Sequence, residues 1–416
     1  MPELPEWRYQ NIIKPIIEHP VEHLALRGRI LTCVSDEVIE DGFVEIEKGK
    51  IKTVTTDKSI ISNGIKIIDC NGTIIPGMYN NHAHLGWDGV HDLANQSIHD
   101  RPEIGAYKAC ANMMLSLQAG ITTVRDLGVN AVSIYAKQAV EQGIIPGPRL
   151  RIAGRAIVMT GGHTYWACRQ ASGPYEMRRA VREQIMDGAD LIKIMASHDT
   201  LEYTDEELNA LIDEAHRHNL QVTAHATTNE GIARMATFGA DVIEHGGDMT
   251  DETIQLLLDK KIPIVATYAV LVIQGDPEIA PKYNIQPWRI EARQKQRKDG
   301  SRFDGVIRAA KAGVPIAFGT DAGSPAVQHN VIVPEMKFGV ELGLYSDAYG
   351  AIRAATSISA EINNQKDILG TIEAGKLADL VVVHGNPLKD LDNLRKVRLT
   401  FVGGKCLYQE GFLSLI

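Results

Sequence analysis

Cysteine is scarce in this chain, and the cysteines present are not arranged in pairs. The sequence has five, Cys33, Cys70, Cys110, Cys168 and Cys406, and none belongs to a Cys-x-x-Cys motif. An odd number of scattered cysteines is typical neither of a secreted disulfide framework nor of a thiolate zinc site. We therefore expect neither feature, and we expect a reducing, cytoplasmic location.

The chain also lacks an excess of positive charge and any long apolar run. Its 43 lysines and arginines are outnumbered by 52 aspartates and glutamates, which gives a formal net charge of -9. Nucleic-acid partners favour the opposite balance. The opening residues, MPELPEWRYQNIIKPIIEH, carry charges and prolines where a signal peptide needs an unbroken apolar stretch. We therefore expect a small-molecule ligand, with neither nucleic acid nor a membrane as partner.

The length of 416 residues exceeds what a single core needs. A parallel barrel of about 250 residues with a smaller satellite domain accounts for such a length. At both chain ends, short β-branched runs alternate with turn residues, which is typical of antiparallel strands. The turns predicted near the N-terminus are Asp41-Gly42, Lys48-Gly49 and Asn71-Gly72. We predict one β-sandwich domain, formed by residues 24–77 and 371–416.

Between the two ends, strand and helix patterns alternate, which predicts a parallel sheet. The predicted strands lie at about 75–85, 122–128, 149–154, 190–197, 221–227, 241–246, 263–269 and 315–322. The clearest helix is predicted at 204–218, where Thr204 and Glu207 form a capping box ahead of an apolar stripe. Eight such strands suit an α/β fold of the (β/α)8 TIM-like barrel type, which we assign to residues 78–370.

Two segments fall outside this scheme. Residues 1–23 precede the sheet domain and are interpreted as an N-terminal arm that packs on the fold or contributes to an oligomer contact. Residues 274–288 are predicted as a Pro-rich loop after the seventh strand, and a lid over the site is one interpretation of that loop. Barrels of this type often self-associate, so we expect a homo-oligomer.

Residues that can hold a metal stand at the ends of five predicted strands. His82 and His84 are two residues apart, so on extended backbone both side chains leave the same face and can share one ion. The other strand ends contribute a lysine, two histidines and a carboxylate, namely Lys193, His225, His245 and Asp321. Because the C-terminal ends of barrel strands form one mouth, these side chains are expected to meet there.

Lys193 is the unusual member of this set, because an ammonium group cannot bind a metal. It lies between Ile192 and Ile194 in an apolar strand, and burial there lowers the pKa of a lysine. A neutral amine can react with carbon dioxide, and the two oxygens of the carbamate can bridge two cations. A buried ion pair and a Schiff-base nucleophile are the alternatives. The neighbouring histidines and Asp321 favour the bridge.

Several segments carry a resemblance to a known family. They are IIPGMYNNHAHL, AGITTVRDLG, IVMTGGH, LIKIMASH, TAHATT, VIEHGG, FGTDAG and GTIEAGKLADLVVV. On these segments the chain resembles the amidohydrolase superfamily over nearly its whole length, in the subset with two metals and a carboxylated lysine. It is most similar to the imidazolonepropionase-like amidohydrolases, which include metal-dependent dipeptidases acting on Xaa-Pro or Xaa-Arg substrates.

The resemblance implies a binuclear metal centre. The first ion would be held by His82, His84 and Asp321, and the second by His225 and His245. The lysine, as N6-carboxylysine formed with carbon dioxide or bicarbonate, would bridge them. Imidazole and carboxylate ligands without thiolate suit zinc, with manganese, iron or cobalt as alternatives. The resemblance also implies a hydroxide shared by the two ions, with Asp321 passing a proton to the leaving nitrogen.

Substrate contacts are expected from the loops that follow the strands. The resemblance places a substrate-contacting, catalytic histidine at His163, where the two glycines of GGH allow a ligand close to the backbone. A solvent-exposed loop histidine is the alternative. The further candidates for the pocket wall are Tyr165, Trp166, Arg169, Thr227 and Tyr268. Thr227 departs from the dipeptidase pattern, in which a Tyr or His at this place holds the substrate carboxylate. His198 is given no role.

The predicted reaction is metal-dependent hydrolysis of an amide-type C–N bond, with a dipeptide or an N-acyl amino acid as substrate. A cyclic amide, a carbamate or a urea-type compound is the alternative substrate class. A deaminase is a further alternative, which one ion per chain and an unmodified Lys193 would favour. A binding protein without turnover is the non-enzymatic alternative. Against it, all six ligand positions are filled.

Overall fold

The computed structural model describes residues 23–128, 131–198 and 200–410. The predicted N-terminal arm, apart from its last residue, therefore lies outside the described residues. Within the described part of the chain, no helix is both long enough and apolar enough to cross a bilayer.

Strands from both ends of the chain form one mixed sheet. They are β1 (Leu24–Leu31), β2 (Val38–Glu47), β3 (Lys50–Thr55), β4 (Lys66–Pro76), β15 (Leu380–His384), β16 (Val397–Val402) and β17 (Lys405–Gln409). Over the described residues the order is β17-β16-β15-β4-β1-β2-β3. The chain ends join where Val382 of β15 pairs with Ile74 of β4, and both side chains lie in a core that belongs to this sheet.

Two of the three turns predicted in this sheet are wrong. Lys48-Gly49 does lie in the turn between β2 and β3, but Asp41-Gly42 lies inside β2 and Asn71-Gly72 lies inside β4. Gly72 serves a different purpose there, because a Cβ atom at this position would collide with the carbonyl oxygen of Val383 on the neighbouring strand. A glycine that permits close backbone approach has the same sequence pattern as a turn glycine.

The middle of the chain contains strands that pair in parallel. They are β5 (Met78–Ala83), β6 (Ile121–Asp126), β7 (Arg149–Ile152), β8 (Ile157–Val158), β9 (Arg169–Gln170), β10 (Leu191–Ser197), β11 (Gln221–Ala226), β12 (Val242–His245), β13 (Ile264–Ala266) and β14 (Ile316–Phe318). In the described residues they form two sheets, β5-β6-β7 and β14-β13-β12-β11-β10-β8-β9. This α/β arrangement of parallel strands fits a TIM-like barrel.

Helices connect these strands. They are α1 (Leu93–His99), α2 (Pro102–Gln118), α3 (Val132–Glu141), α4 (Pro174–Asp187), α5 (Asp205–Arg217), α6 (Asn229–Phe238), α7 (Asp251–Lys260), α8 (Ala269–Gln274), α9 (Pro287–Asp299), α10 (Ser301–Ala312), α11 (Val333–Glu341), α12 (Ala348–Ala355) and α13 (Ser357–Ile362). The capping box predicted ahead of α5 is confirmed, because Thr204 and Glu207 satisfy each other's backbone N–H groups.

Backbone hydrogen bonds connect the two parallel sheets at both of their junctions. The N–H of Asp321, which follows β14, donates to the carbonyl oxygen of His82 in β5 at 2.9 Å. The N–H of Asp190, just before β10, donates to the carbonyl oxygen of Ile152 in β7 at 2.7 Å. The ends of the first and eighth predicted strands are therefore neighbours, which brings His82 beside Asp321.

The Pro-rich loop predicted at 274–288 is present between two helices, over residues 275–286, and it contains one short 3-10 helix. α8 follows β13 and ends at Gln274, a 3-10 helix spans Ala280–Tyr283, and α9 begins at Pro287. Two of the three prolines in the predicted segment, Pro281 and Pro287, stand in the first turns of the 3-10 helix and of α9, where a missing N–H costs no hydrogen bond. Ala280 and Ile285 of the segment are buried in a small core with residues of α8 and α9, so the loop is packed against both helices.

Candidate metal centre

His82 and His84 present the same ring nitrogen to one carboxylate. The Nδ1 atom of His82 is 2.7 Å from Oε2 of Glu244, and the Nδ1 atom of His84 is 2.5 Å from the carbonyl oxygen of Gly128. Both Nε2 atoms face Oδ1 of Asp321, at 3.5 Å from His82 and 3.0 Å from His84. Metal-binding histidines are oriented in this way, by a hydrogen bond on the second nitrogen.

Asp321 and His245 both have a left-handed backbone, with φ angles of 57° and 69°. Non-glycine residues seldom adopt this conformation, and where they do the site is often functional. The turned backbone directs both side chains toward His82. Ligand atoms of His82, His245 and Asp321 all lie within 4.8 Å of one another. One divalent ion could bind such a group.

A second cluster of histidines lies next to the first. The ring of His225, on β11, has its centroid 4.5 Å from that of His245. The Nε2 atom of His225 is 3.1 Å from Nδ1 of His198, and the ring of His163 is stacked on that of His198 with centroids 3.9 Å apart. Ligand atoms of His163, His198 and His225 also lie within 4.8 Å of one another. The structure thus adds His198 to the site.

The electrostatic environment keeps these side chains in the forms that bind cations. Burial, with a further contribution from nearby Lys193, lowers the pKa of His82 to about 4. Burial and neighbouring positive charges also hold the pKa values of His225 and His245 well below the ordinary value. Burial alone would raise the pKa of Asp321, but the neighbouring histidines lower it well below its usual range. The imidazoles are therefore neutral and the carboxylate is ionised.

Lys193 has an amine without a partner. It lies within β10, its side chain is fully buried, and its Nζ atom has no hydrogen-bond partner among the described residues. Burial lowers the pKa of this amine to about 8. An unpaired ammonium is costly to bury, whereas a carboxylated amine would place an anionic group among the histidines that line the same cavity. The residues present therefore fit a bridging carbamate and two divalent ions.

A buried ion pair behind the ligands is absent from the sequence predictions. Glu244 accepts hydrogen bonds from the guanidinium of Arg125 and the hydroxyl of Thr223. Burial alone would raise the pKa of Glu244, but the charge of Arg125 lowers it well below its usual range. The ionised carboxylate fixes the ring of His82. A signal was available, because a glutamate in VIEH and an arginine in ITTVRD are charges in apolar strands, and buried charges need partners.

The ligands line one cavity of about 470 Å³. Of the residues predicted to contact substrate, His163 and Trp166 contribute to its wall. The ring of Trp166 packs beside that of Trp87, with centroids 5.7 Å apart. Arg289, on α9, also lines the cavity, although the sequence pattern does not point to it. The cavity thus combines candidate metal ligands, an aromatic pair and a cation.

Two of the predicted pocket residues from the loop after β8 are not brought to this cavity. Tyr165 is 49% exposed and is not among the described residues that line it. Arg169 is not among them either, because its guanidinium donates to the carboxylate of Glu183 at 2.7 Å and to that of Glu176 at 3.1 Å. Neighbouring positions in this loop therefore differ in where their side chains point.

Thr227 and Tyr268 also lie away from the cavity wall. The hydroxyl of Thr227 donates to the carbonyl oxygen of His198 at 2.7 Å, and the residue lines a separate pocket. Tyr268 is buried against the rings of Phe303 and Phe338. Thr227 holds a backbone segment next to the site, while Tyr268 belongs to the packing behind it.

Comparison with known proteins identifies the family to which the chain belongs. The profile of the Amidohydrolase family matches residues 73–407. The chain belongs to the amidohydrolase family. Ochratoxinase from Aspergillus niger is 29% identical to this amidohydrolase over 380 residues, which cover 81% of this chain and 76% of the relative. This membership confirms the resemblance inferred from the sequence segments.

Solved structures of similar proteins cover almost the whole chain. A Xaa-Pro dipeptidase with bound methionine in its active site has a TM-score of 0.79 and 29% identity, covering 93% of this chain and 99% of that chain. A prolidase complexed with N-methylphosphonate-L-proline has a TM-score of 0.82 and 27% identity, covering 93% and 100%. As an amidohydrolase the protein is an enzyme that hydrolyses carbon–nitrogen bonds. Members of the family generally use divalent metals, and the His/Asp groups of this site are able to hold them.

Proposed function

We propose that this amidohydrolase cleaves the amide bond of a dipeptide or an N-acyl amino acid with the help of two divalent ions, zinc being our first choice. The supporting observation is that four histidines and Asp321 converge on a cavity that also contains the unpartnered amine of Lys193. The similarity to a Xaa-Pro dipeptidase and a prolidase supports an amide of this size as substrate.

The ligands are proposed to divide between the two ions. His82, His84 and Asp321 would hold the first ion, and His225 and His245 the second. When bound, the ions supply an activated water and polarise the carbonyl that is attacked. The hydrogen bonds on Nδ1 of His82, His84 and His245 leave the opposite nitrogen of each ring available as a ligand.

Lys193 is proposed to carry the bridging carbamate. Its amine is unpaired and fully buried, and its pKa of about 8 leaves a fraction neutral near physiological pH. A neutral amine is the form that reacts with carbon dioxide. The modification would replace an unsatisfied donor by an anion and so remove the cost of burying an unpaired ammonium.

Asp321 and His163 are proposed to act on the substrate itself. The carboxylate of Asp321 is ionised, so it can accept a proton from the attacking water and deliver it to the leaving nitrogen. His163 lines the cavity and would contact the substrate. Trp87 and Trp166 form an apolar side of the cavity that limits the access of bulk water.

We also propose how the two domains around the site are built. Residues 78–370 are proposed to form one closed barrel, supported by the hydrogen bonds that connect the two parallel sheets at both junctions. Residues 24–77 and 371–416 are proposed to form a β-sandwich around the core of the mixed sheet. Self-association stays a prediction, which light scattering of the purified protein tests.

A substrate panel with metal analysis tests the proposed function. Protein purified with zinc and bicarbonate is assayed against dipeptides, N-acyl amino acids, cyclic amides, carbamates and ureas, and the products are identified. We expect release of a free amino acid, two ions per chain by elemental analysis, and loss of activity on chelation. Lys193→Ala is expected to lose bound metal. Turnover confined to neutral cyclic amides, carbamates or ureas would overturn the substrate class, and full activity without metal would overturn the centre.

A further inference from the structure

Arg289 brings an unneutralised positive charge to the cavity. It lies in the first turn of α9, is partly buried, and lines the same cavity as Asp321 and the histidines. Among the residues that the structure describes, its guanidinium has no ion-pair or hydrogen-bond partner. A guanidinium is a planar, permanently charged donor that matches a carboxylate in a two-pronged hydrogen bond.

Other arginines strengthen the positive potential at this position. Arg293, one turn further along α9, is held by the amide oxygens of Gln274 at 3.0 Å and Gln296 at 2.8 Å, which bring no negative charge. Burial, followed by the charges of Arg302 and Arg289, lowers the pKa of Arg293 to about 10. These guanidinium groups are therefore close enough to repel one another, and an anion placed among them would be stabilised.

The position of Arg289 relative to the proposed reacting groups indicates which kind of anion would bind there. Arg289 and Asp321 line one cavity, and the charge of Asp321 acts on the neighbouring Arg293, so a ligand that reaches both Arg289 and Asp321 would carry its negative charge in the same cavity as the bond that is cleaved. Besides Arg289, the only lysine or arginine among the described residues that line this cavity is Lys193, which is fully buried and is assigned to the proposed bridge. The carboxylate of a substrate therefore needs another partner, and Arg289 is available.

We infer that Arg289, supported by Arg293, binds a carboxylate of the substrate, so that this enzyme selects amides with a free carboxylate close to the scissile bond. The inference rests on the proposed function and assigns to it the residue that recognises the substrate. Dipeptides and N-acyl amino acids have the required group, whereas neutral cyclic amides, carbamates and ureas lack it. Arg289 is a binding and specificity residue in this scheme, and the metal ligands retain the chemistry.

Matched substrates that differ in one charge test the inference. Zinc-loaded enzyme is assayed on N-acyl amino acids or dipeptides and on the carboxamides of the same compounds. We expect Arg289→Met to lower kcat/KM for the acids by about ten- to a hundredfold, mainly through KM, and to leave the carboxamides unchanged. Arg289→Lys should recover part of the loss. Equal losses on acids and carboxamides, or no loss on either, would overturn the inference.

Lys295→Met provides the control, because Lys295 is an exposed cation on the same helix. It removes one positive charge from α9 and leaves a similar aliphatic side chain, so an unchanged acid preference is expected. An equal loss in this variant would attribute the effect to the general charge of the helix and would count against Arg289.

Calorimetry separates failure of the inference from failure of the proposed function. Binding of N-acetyl amino acids and their carboxamides to zinc-loaded wild type and Arg289→Met needs no turnover. If the wild type binds the acid more tightly than the carboxamide and Arg289→Met does not, the carboxylate site is supported, even if no amide in the panel is hydrolysed. An acid preference of the same size in both proteins would place the carboxylate elsewhere, on the metal ions for instance, and would reject the role of Arg289.

Discussion

The two walls of the cavity are built in different ways. One wall, here called the metal wall, holds the proposed metal ligands, which lie within strands or just after them: His82, His84, Lys193, His225, His245 and Asp321. The substrate wall comes from a loop and a helix and consists of His163, Trp166 and Arg289. On the metal wall three histidines have their second nitrogen fixed by Glu244, Gly128 and Thr267, while on the substrate wall Arg289 is unpartnered among the described residues.

Under the proposed function, the metal wall carries out the reaction and the substrate wall recognises the substrate. A rigid, buried wall keeps ligand atoms in place for a reaction that is common to the family, and connecting segments vary without disturbing it. Arg289 illustrates this division, because a helix, and not a strand end, brings this cation to the cavity. Variants of the metal wall should therefore affect turnover or folding, and variants of the substrate wall should affect selectivity.

The largest effect is expected from Asp321→Asn. The amide has the shape of the carboxylate but accepts no proton, so kcat should fall by roughly 10²- to 10⁴-fold while the circular dichroism spectrum and melting temperature stay close to those of the wild type. Asp248→Asn is the control, since the side chain of Asp248 is 79% exposed and the residue does not line the metal cavity. Wild-type turnover in Asp321→Asn would remove the proposed proton carrier.

Glu244→Gln should have the next largest effect, and it should appear as lost stability. The change leaves Arg125 buried without its countercharge, which costs roughly 3–5 kcal/mol in comparable buried pairs. Glu40→Gln is the matched control, because Glu40 pairs with Arg29 at 2.6 Å but its side chain is 71% exposed, and such pairs contribute at most about 1 kcal/mol. Urea unfolding at constant zinc measures both. Similar losses of unfolding free energy in the two variants would show that the buried pair of Glu244 and Arg125 does not stabilise the fold behind the metal wall.

The convergence of the six proposed metal ligands on one cavity could be predicted from the sequence, and most of the remaining cavity lining could not. Each proposed ligand follows or lies within an apolar strand, and because parallel strands end at one edge, the ligands are expected to meet there without further information. No comparable rule fixes a loop side chain. Tyr165 and Arg169 lie within four residues of Trp166, yet only Trp166 of the three lines the cavity in the described structure.

Arg289 was missed because the local pattern around it was misinterpreted. The prolines of 274–288 suggest a loop, but Pro287 stands at the start of α9 and therefore favours the helix that carries Arg289 toward the cavity. The turn predictions failed for a similar reason, because Gly42 and Gly72 relieve close packing inside strands. In both cases the residue type was informative, but its purpose depended on contacts with distant parts of the chain.

A pH-dependent effect is expected from Glu335, a buried carboxyl on α11 that is hydrogen-bonded to the start of α8. Its carboxyl accepts a hydrogen bond from the N–H of Ala269 at the start of α8, and its other oxygen has no partner among the described residues. Burial raises the pKa of Glu335 to about 8. Between about pH 4.5 and this value the unfolded chain loses the proton while the folded protein keeps it, so folding stability falls as the pH rises through this window.

Glu335→Gln should remove this contribution, because the amide stays neutral in both states. The difference in unfolding free energy between variant and wild type should then change by up to about 1.4 kcal/mol per pH unit between pH 5 and 8, with the variant gaining relative stability as the pH rises. Urea titrations of both proteins at a fixed zinc concentration measure this difference at each pH. Parallel pH profiles would mean that the carboxyl titrates normally in the folded protein.

The smallest effect is expected from Trp166→Ala, and it sharpens the comparison within the substrate wall itself. Trp166 offers an apolar surface to the cavity beside Trp87, so its loss should raise KM about tenfold with little change in kcat. Tyr165→Ala removes an aromatic ring from the preceding position, which is exposed and away from the cavity, and should change KM less than about twofold. Equal increases in KM would mean that this loop rearranges around the substrate, and that only the metal wall is preformed.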